Sequence, residues 1–497
     1  MPQRPLPENP SLVNLRKQAK GFFRRVRAGD AEALAEAREL HPRGEKALEG
    51  FSLTDAQLVT ARGYGFPSWP KLKKHVDALA PYLWSPPPPS GSPVDQFLRL
   101  ACLDYESWNL VEGRKAAELL AQHPELAQSN IYTAAAAGDA DAIRAFLTRD
   151  PALVHSKGGP HRWEPLLYAC YSRLDAPTLD AARALLAAGA DPNAGFLWHG
   201  NLPPFTALTG AFGGGEGGAN NPPHPQSEAL ARLLLDAGAD PNDGQTLYNR
   251  HFRPDDTHLR LLLSYGLGRD KGGPWFARFE RLSSPARLLA EELWHAARVN
   301  FFERVKLLVE HGADVNTPGM RDGRTPYEAA SRAGNKDIAA YLLQHGARKV
   351  ALTSAERFAA ACVNGDRAEA QALLEQDPGL LDALGLHGRI TLVHRAVEAN
   401  RPEGIRLMAD LGFEFGAMTR HDGVGMSLAT TPMHNAAWAG HLEIIKLLIE
   451  LGADPNVRDP NYNSTPLGWA AYNEQQHVVE YLLPLADRED AARAGDT

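Results

Sequence analysis

The sequence predicts an all-α solenoid of about ten short helical units preceded by a small helical module. The main observation is a phrase, Gly-Ala-Asp followed by proline or valine and then asparagine, that comes four times after a leucine-rich stretch. Weaker copies of the leucine-rich stretch end at a glycine or proline. Successive stops are 27 to 49 residues apart, which is typical of stacked helical repeats. The four phrases end at Asn193, Asn242, Asn316 and Asn456.

Each unit is predicted to contain two antiparallel helices. In residues 322–347, Thr325 can cap a first helix, and Glu328, three residues later, can complete a capping box. Gly334 is placed to end that helix. A second helix with a leucine-rich apolar stripe follows and ends at Gly346. A helix of this kind has one apolar side, so it must pack against a neighbouring unit.

The chain resembles the ankyrin-repeat family in two motifs. Its GADxN turns match the family hairpin, and the resemblance is strongest over 300–350 and 425–490. It is weaker in two divergent regions, 100–155 and 245–285. The resemblance implies stacked helix pairs whose inner helices and hairpin tips line a concave face that binds another protein. It also implies a structural, hydrogen-bonding role for His434. The matches to the family's TPLH signature are Thr325-Pro326, Thr431-Pro432-Met433-His434 and Thr465-Pro466-Leu467.

We expect three segments along the chain. Residues 1–80 are predicted to form the helical module, 81–98 a Pro-rich linker, and 99–490 the repeat array. A Gly/Pro-rich insertion interrupts the array at 210–226. The phrase at 53–76 resembles a small helical module found ahead of bacterial ankyrin arrays.

The charge distribution indicates which kinds of partner the chain can bind, and the cysteine content indicates the cellular compartment. The net charge is -8, yet residues 1–29 carry +6, so the remainder carries -14. The basic start could touch nucleic acid or an anionic membrane, but we favour a solvated helix face. Three distant cysteines without CxxC spacing and the absence of a long apolar run indicate a cytoplasmic protein without a transmembrane segment. The oligomeric state stays open.

Departures from a regular repeat are the best indication of a binding site. The insertion at 210–226 and the non-repeat stretch 268–285 lie among large aromatic and arginine side chains, which protein interfaces favour. We therefore predict contact with a partner protein within 160–285. The alternative is that these side chains fill gaps between irregular repeats. The candidate residues are Trp163, Tyr168, Tyr171, Trp198, His199, Tyr248, Arg250, His251, Trp275, Phe276 and Arg278.

Enzymatic chemistry is not indicated. The chain contains no GxSxG elbow, Walker loop or HExxH motif, so we predict no catalytic residue, metal ligand or cofactor. Asp255 or Asp256 is interpreted as a helix cap. The main hypothesis is a non-enzymatic scaffold or regulator. The alternative is a small-molecule or catalytic site in 160–285, which a pocket joining His199, Tyr248 and His251 would favour.

Overall fold

The computed structural model describes residues 4–86, 88, 91–106, 108–269, 272–421 and 428–487. The chain divides into two compact units. Unit 1 consists of residues 1–213, 223–249 and 269–284, and unit 2 of residues 214–222, 250–268 and 285–497. Unit 1 therefore joins the predicted N-terminal module to the first repeats.

The N-terminal residues of unit 1 form four helices. Leu15 of the first helix and Leu72 of the fourth are fully buried in one small core. Ser52 and Asp55 form a capping box at the start of the third helix. The basic residues of the first helix, apart from Arg25, which pairs with Asp30, point outwards. The four helices are α1 (Leu12–Arg27), α2 (Ala31–Leu40), α3 (Leu53–Gly63) and α4 (Trp69–Leu79).

The segment predicted as a linker is partly built into unit 1. Strand β1 (Leu83–Trp84) pairs in parallel with β2 (Gly195–Trp198), which pairs antiparallel with β3 (Phe205–Thr206). The Trp84 side chain is buried against Trp163. Helix α5 (Pro93–Ala101) also begins inside the predicted linker. A free spacer over 81–98 therefore does not describe these residues, because a tryptophan gains more from burial than from an extended, solvated chain.

The first repeats stack in series within unit 1. First helices α5, α7, α9 and α11 pack one on the next, and second helices α8, α10 and α12 do the same. Helix α13 crosses the division between the units, α14 lies in unit 2, and α15 belongs to unit 1. The bounds are α6 (Leu110–Gln122), α7 (Ile131–Ala137), α8 (Ala140–Arg149), α9 (Pro165–Tyr171), α10 (Thr178–Ala187), α11 (Ala207–Phe212), α12 (Ser227–Asp236), α13 (Gly244–Arg250), α14 (Thr257–Ser264) and α15 (Pro274–Arg278).

Unit 2 contains the regular repeats. Its first helices, α16, α18, α20, α23, α25 and α27, pack in that order along one row. Strands β4 (Thr419–His421) and β5 (Leu428–Thr430) form an antiparallel hairpin. The helices are α16 (Pro285–Arg298), α17 (Phe302–Glu310), α18 (Pro326–Ala333), α19 (Lys336–Gln344), α20 (Ser354–Asn364), α21 (Arg367–Gln376), α22 (Leu380–Ala383), α23 (Gly385–Glu398), α24 (Pro402–Asp410), α25 (Pro432–Ala439), α26 (Leu442–Glu450), α27 (Pro466–Tyr472) and α28 (Gln476–Leu482).

The local signals of the repeat have the predicted structure. The Thr325 hydroxyl accepts from the Glu328 N–H at 3.3 Å, and the Glu328 carboxylate accepts from the Thr325 N–H at 2.9 Å. Gly334 ends α18 in the left-handed conformation, with φ of 76°. His434 hydrogen-bonds Thr431 at 2.7 Å and the Ser464 carbonyl at 3.1 Å. Side-chain hydrogen bonds thus fix the start of α18 and of α25, and a left-handed glycine ends each of these two helices.

The asparagine of the GADxN phrase connects consecutive repeats. The Asn316 amide donates to the Gly346 carbonyl at 3.0 Å and accepts from the Arg348 N–H at 2.9 Å. Asn193 makes the same pair of bonds to Gly238 and Asp240, at 3.1 Å and 2.8 Å. An amide is suited to this position because it carries a donor and an acceptor side by side. The recurring asparagine therefore sets the spacing between neighbouring hairpins.

Replacing Asn316 by alanine tests this role. The Asn316→Ala change leaves one carbonyl and one N–H without their partner, so we expect the free energy of unfolding to fall by about 1–2 kcal/mol. Urea unfolding followed by circular dichroism measures the difference. Gln344→Ala, at an exposed position at the end of α19, is the control and should have a smaller effect. Equal stabilities of the two variants would contradict the bridging role.

Candidate functional site

Four of the predicted contact residues lie in the core of unit 1. Trp163 is 1% exposed and stacks on Phe196, with ring centroids 4.8 Å apart. The Tyr168 and Tyr171 side chains are fully buried. Trp275 is 5% exposed, and its indole N–H donates to the Asn193 carbonyl at 2.9 Å. These side chains are covered by their neighbours in this structure, which favours the gap-filling alternative for them.

Other predicted residues remain accessible on unit 1. Trp198 is half-buried, and His199 lies 3.2 Å from a Glu106 carboxylate oxygen and 3.5 Å from one of Glu8. Phe276 is half-buried, and the exposed Arg278 guanidinium lies 5.3 Å from the Trp275 ring centroid. Partner contact through these residues stays a prediction.

The remaining predicted residues are divided between the two units. Tyr248 and His199 belong to unit 1, whereas Arg250 and His251 belong to unit 2. His251 is buried and its ring stacks on His295, with centroids 3.9 Å apart. Among the described residues, no group of three or more histidine, cysteine, aspartate or glutamate side chains could hold a metal ion.

A charged side chain anchors the divergent segment around His251. Arg304 is fully buried and donates to the Asp256 carboxylate at 2.6 Å and to the His251 carbonyl at 3.2 Å. The Asp255 carboxylate accepts from the Thr257 N–H at 3.0 Å at the start of α14. Asp256 therefore occupies the N-cap position without a capping bond of its own, because its carboxylate binds Arg304, and Asp255 supplies the hydrogen bond to the first N–H of α14.

Burial controls the protonation of this cluster. It lowers the pKa of His251 to about 3 and moves the pKa of His295 well below its usual range. It also raises the pKa of the Glu292 carboxyl to about 8. Although Glu292 and His251 lie 3.9 Å apart, both are neutral at pH 7, and they do not form an ion pair. His251, His295 and Glu292 thus form a neutral, buried part of the core of unit 2 beside the Arg304–Asp256 ion pair.

Sequence reasoning missed an exposed group of aromatic rings on the last repeats. We call Trp438, Tyr462, Trp469 and Tyr472 the aromatic surface. Trp438 lies on α25, Trp469 and Tyr472 on α27, and Tyr462 in the hairpin before α27. The Trp438 centroid is 5.7 Å from that of Trp469 and 5.9 Å from that of Tyr472, and the centroids of Tyr462 and Trp469 are 6.4 Å apart. Tyr462 is 58% and Tyr472 55% exposed.

The sequence carried a signal for this surface. Trp438 stands seven residues after Thr431, and Tyr472 stands seven residues after Thr465. Both therefore occupy the same position in two consecutive repeats, where the 322–347 unit has Arg332. An aromatic side chain at one exposed position in adjacent repeats indicates a continuous aromatic surface.

Comparison with known proteins agrees with the repeat assignment. A family model described as ankyrin repeats matches residues 290–352, 358–459 and 421–492. These matches, together with the stacked helix pairs, show that residues 290–492 contain ankyrin repeats and support an ankyrin-repeat domain-containing protein.

Individual relatives are similar over part of their length. The chain is 31% identical over 160 residues to ankyrin repeat protein nuc-2 of Neurospora crassa, covering 31% of this chain and 14% of that protein. It is 26% identical over 203 residues to putative ankyrin repeat protein FPV031 of Fowlpox virus, covering 39% and 47%. It is 40% identical over 65 residues to protein phosphatase 1 regulatory subunit 27 of Mus musculus, covering 13% and 42%.

The chain thus spans less than half the length of each of these relatives. What they share with it is the ankyrin repeat, so the matches support a protein-interaction role. Within the described part of the chain, no helix has the length and apolar character needed to cross a bilayer.

The core assignment of Trp275 predicts a large loss of stability on truncation. We expect Trp275→Ala to lower the free energy of unfolding by about 3–5 kcal/mol, because it empties space between Leu79, Leu197 and Phe279. Arg278→Ala, three residues later and exposed, should cost about 1 kcal/mol or less. Chemical unfolding of both variants gives the comparison, and an unchanged transition in Trp275→Ala would show that this residue is not core.

The buried carboxyl predicts a pH-dependent stability difference. The pKa of Glu292 is raised on folding, so its favourable contribution is complete near pH 4.5 and is lost as the pH rises through about 8. Glu292→Gln keeps a neutral group, so the variant should equal the wild type near pH 5 and gain up to about 1.4 kcal/mol per pH unit above that, up to pH 8. Thermal and urea unfolding at pH 5 and pH 8 measure this gain. The same gain in Glu310→Gln, at an exposed position on α17, would contradict burial as its cause.

Proposed function

We propose that the chain is a non-enzymatic scaffold or regulator that binds a partner protein through the aromatic surface. In ankyrin repeats, the first helices and hairpin tips line the concave face. Trp438, Trp469 and Tyr472 belong to first helices, and Tyr462 belongs to a hairpin. The observation that carries the proposal is the exposure of two tyrosines beside two tryptophans in regular, closely packed repeats.

The aromatic surface is held rigidly before any partner arrives. The buried Asp459 carboxylate accepts from the backbone N–H groups of Tyr462 at 2.7 Å and Ser464 at 3.1 Å, and from the Trp469 indole N–H at 3.0 Å. Burial alone would raise the pKa of Asp459, but these hydrogen bonds lower it below its usual range. An ionised carboxylate thus fixes both the hairpin and the Trp469 ring, which reduces the entropy that binding would cost.

The chemistry of these rings suits a protein interface. Tyrosine and tryptophan bury large areas with few rotatable bonds, and they dominate the binding energy of many interfaces. Removing one such central residue commonly costs 2 kcal/mol or more. The half-exposed Trp198, His199 and Phe276 stay a second predicted contact region. The four predicted residues that lie in the core of unit 1 are not part of it.

Two further observations support a regulatory role inside the cell. One relative carries the name of a phosphatase regulatory subunit, and its similarity covers repeat sequence. The three cysteines, Cys102, Cys170 and Cys362, are free and buried, which fits the reducing cytoplasm. For the basic face of α1 we favour a solvated surface over nucleic-acid or membrane binding, because its apolar side packs into the N-terminal module.

Tyr472→Ala tests the proposed surface. We expect at least one protein retained by the wild-type chain, in affinity purification from cells of its source organism, to fall by about tenfold or more with the variant. Quantitative mass spectrometry of the bound fraction gives the ratio. Val111→Ala, at a position 46% exposed on α6, is the control and should retain that protein. Unchanged retention by both Tyr472→Ala and Trp469→Ala, with unchanged melting temperatures, would contradict the proposal.

A further inference from the structure

A glycine-rich segment of this chain lies against the aromatic surface. Residues 214–222 belong to unit 2, although the chain on both sides of them belongs to unit 1. A hydrogen bond of 2.8 Å from the Gly214 N–H to the Asn221 carbonyl closes the segment into a loop. This loop forms most of the insertion at 210–226 that interrupts the repeat array, and the repeat itself does not need it.

The loop binds the end of α27 through its backbone and one amide. The Ala219 N–H donates to the Asn473 side-chain oxygen at 2.9 Å. The Asn220 amide donates to the Tyr472 carbonyl at 3.4 Å. The Asn473 amide nitrogen in turn donates to the Trp438 carbonyl at 2.7 Å. Asn473 therefore connects the loop to the first helices that carry the aromatic rings.

Only glycine fits at the point of closest approach. Gly218 has φ of 60°, and a Cβ there would lie 2.2 Å from the Asn473 side-chain oxygen and 2.6 Å from a ring carbon of Trp438. A side chain at this position would force the loop away from Trp438, because the indole ring is rigid and cannot bend out of the way. The absence of a side chain at Gly218 is thus what allows the loop to cover the edge of the aromatic surface.

The composition of the loop favours its displacement from the aromatic surface by a ligand. Gly213, Gly214, Gly215, Gly217 and Gly218 lie in one short stretch, and glycine loses more conformational freedom on ordering than any other residue. No large apolar side chain of the loop inserts between the rings, and Tyr462 and Tyr472 stay exposed. Because a glycine-rich loop is costly to order, a ligand that makes the same hydrogen bonds and also covers the rings can displace it.

We propose that the aromatic surface takes a glycine-containing turn of a partner protein, and that Gly214–Pro222 occupies part of the same site when the partner is absent. The partner segment donates a backbone N–H to Asn473, presents a glycine to Trp438 and places an apolar side chain on Tyr472. The inference rests on the proposed function, because it assigns the binding mode of that surface. It adds to that function that a segment of the chain itself competes with the partner for the aromatic surface.

A peptide with the sequence of residues 213–224 is the probe. The receptor is the full chain with Gly218→Val, whose loop cannot approach Trp438. 5-Fluorotryptophan labelling, with signals assigned through Trp438→Phe and Trp469→Phe, reports binding at the aromatic surface. We expect the peptide to shift both signals in Gly218→Val, and to bind the wild-type chain about tenfold more weakly, since its own loop is closed most of the time.

Controls separate competition from a general change in the chain. Gly323→Val alters a hairpin glycine of unit 2 with a similar φ, 68°, and no atom near its Cβ, so it should bind the peptide as weakly as the wild type. A peptide with valine in place of Gly218 should not shift either signal. Near-ultraviolet circular dichroism and melting temperature check that both variants are folded.

The outcomes distinguish this inference from the proposed function. Equal binding of the peptide by the wild type and Gly218→Val, or no binding by Gly218→Val up to the solubility limit, overturns competition by the loop. Neither result alters the Tyr472→Ala purification, which tests partner binding alone. Loss of the partner in Tyr472→Ala together with equal peptide binding would keep the surface and remove the loop from its regulation.

Discussion

The structure depends on one constraint: a pair of helices of seven to ten residues cannot bury its apolar side alone. Each first helix covers its neighbour, and the GADxN asparagine fixes the distance between their hairpins through two hydrogen bonds. Leu342 and Ile338 are therefore fully buried although they lie on a nine-residue helix. Stability accumulates from these nearest-neighbour contacts, so a departure in one repeat can be tolerated if another segment covers the exposed surface.

The irregular repeats show how such departures are covered. Trp163 and Phe196 pack together in unit 1, and β1 places the Trp84 ring against both. In unit 2, the fully buried Arg304 replaces regular helix packing by binding the backbone of the divergent segment at His251. A buried cation is stable there because the Asp256 carboxylate and backbone carbonyls satisfy its donors. Most irregular segments of this chain are therefore places where other side chains or strands restore the packing that a regular repeat would provide.

The regular repeats carry the more favourable binding surface for the same reason. Where stacking is regular, the outward-facing positions of the first helices are not needed for packing between repeats. Tyr472 can therefore be large and exposed, and Trp438 large and half-buried beside it. Their rigidity comes from hydrogen bonds of Asp459 and Asn473 in the same two repeats. A surface of this kind can recognise a partner without a change in the scaffold, and a short loop can regulate its access.

The sequence by itself determined the repeat, its caps and its turns, because Thr325, Gly334 and Asn316 act on groups within one repeat or in the next one. It also determined that residues 160–285 are irregular. Only the tertiary structure decided which aromatic side chains are core and which are exposed, because Trp84 and Trp163 lie 79 positions apart. Likewise, Ala219 meets Asn473 across 254 positions. A local pattern reports which side of a helix points inwards, but it does not report which distant segment covers that side.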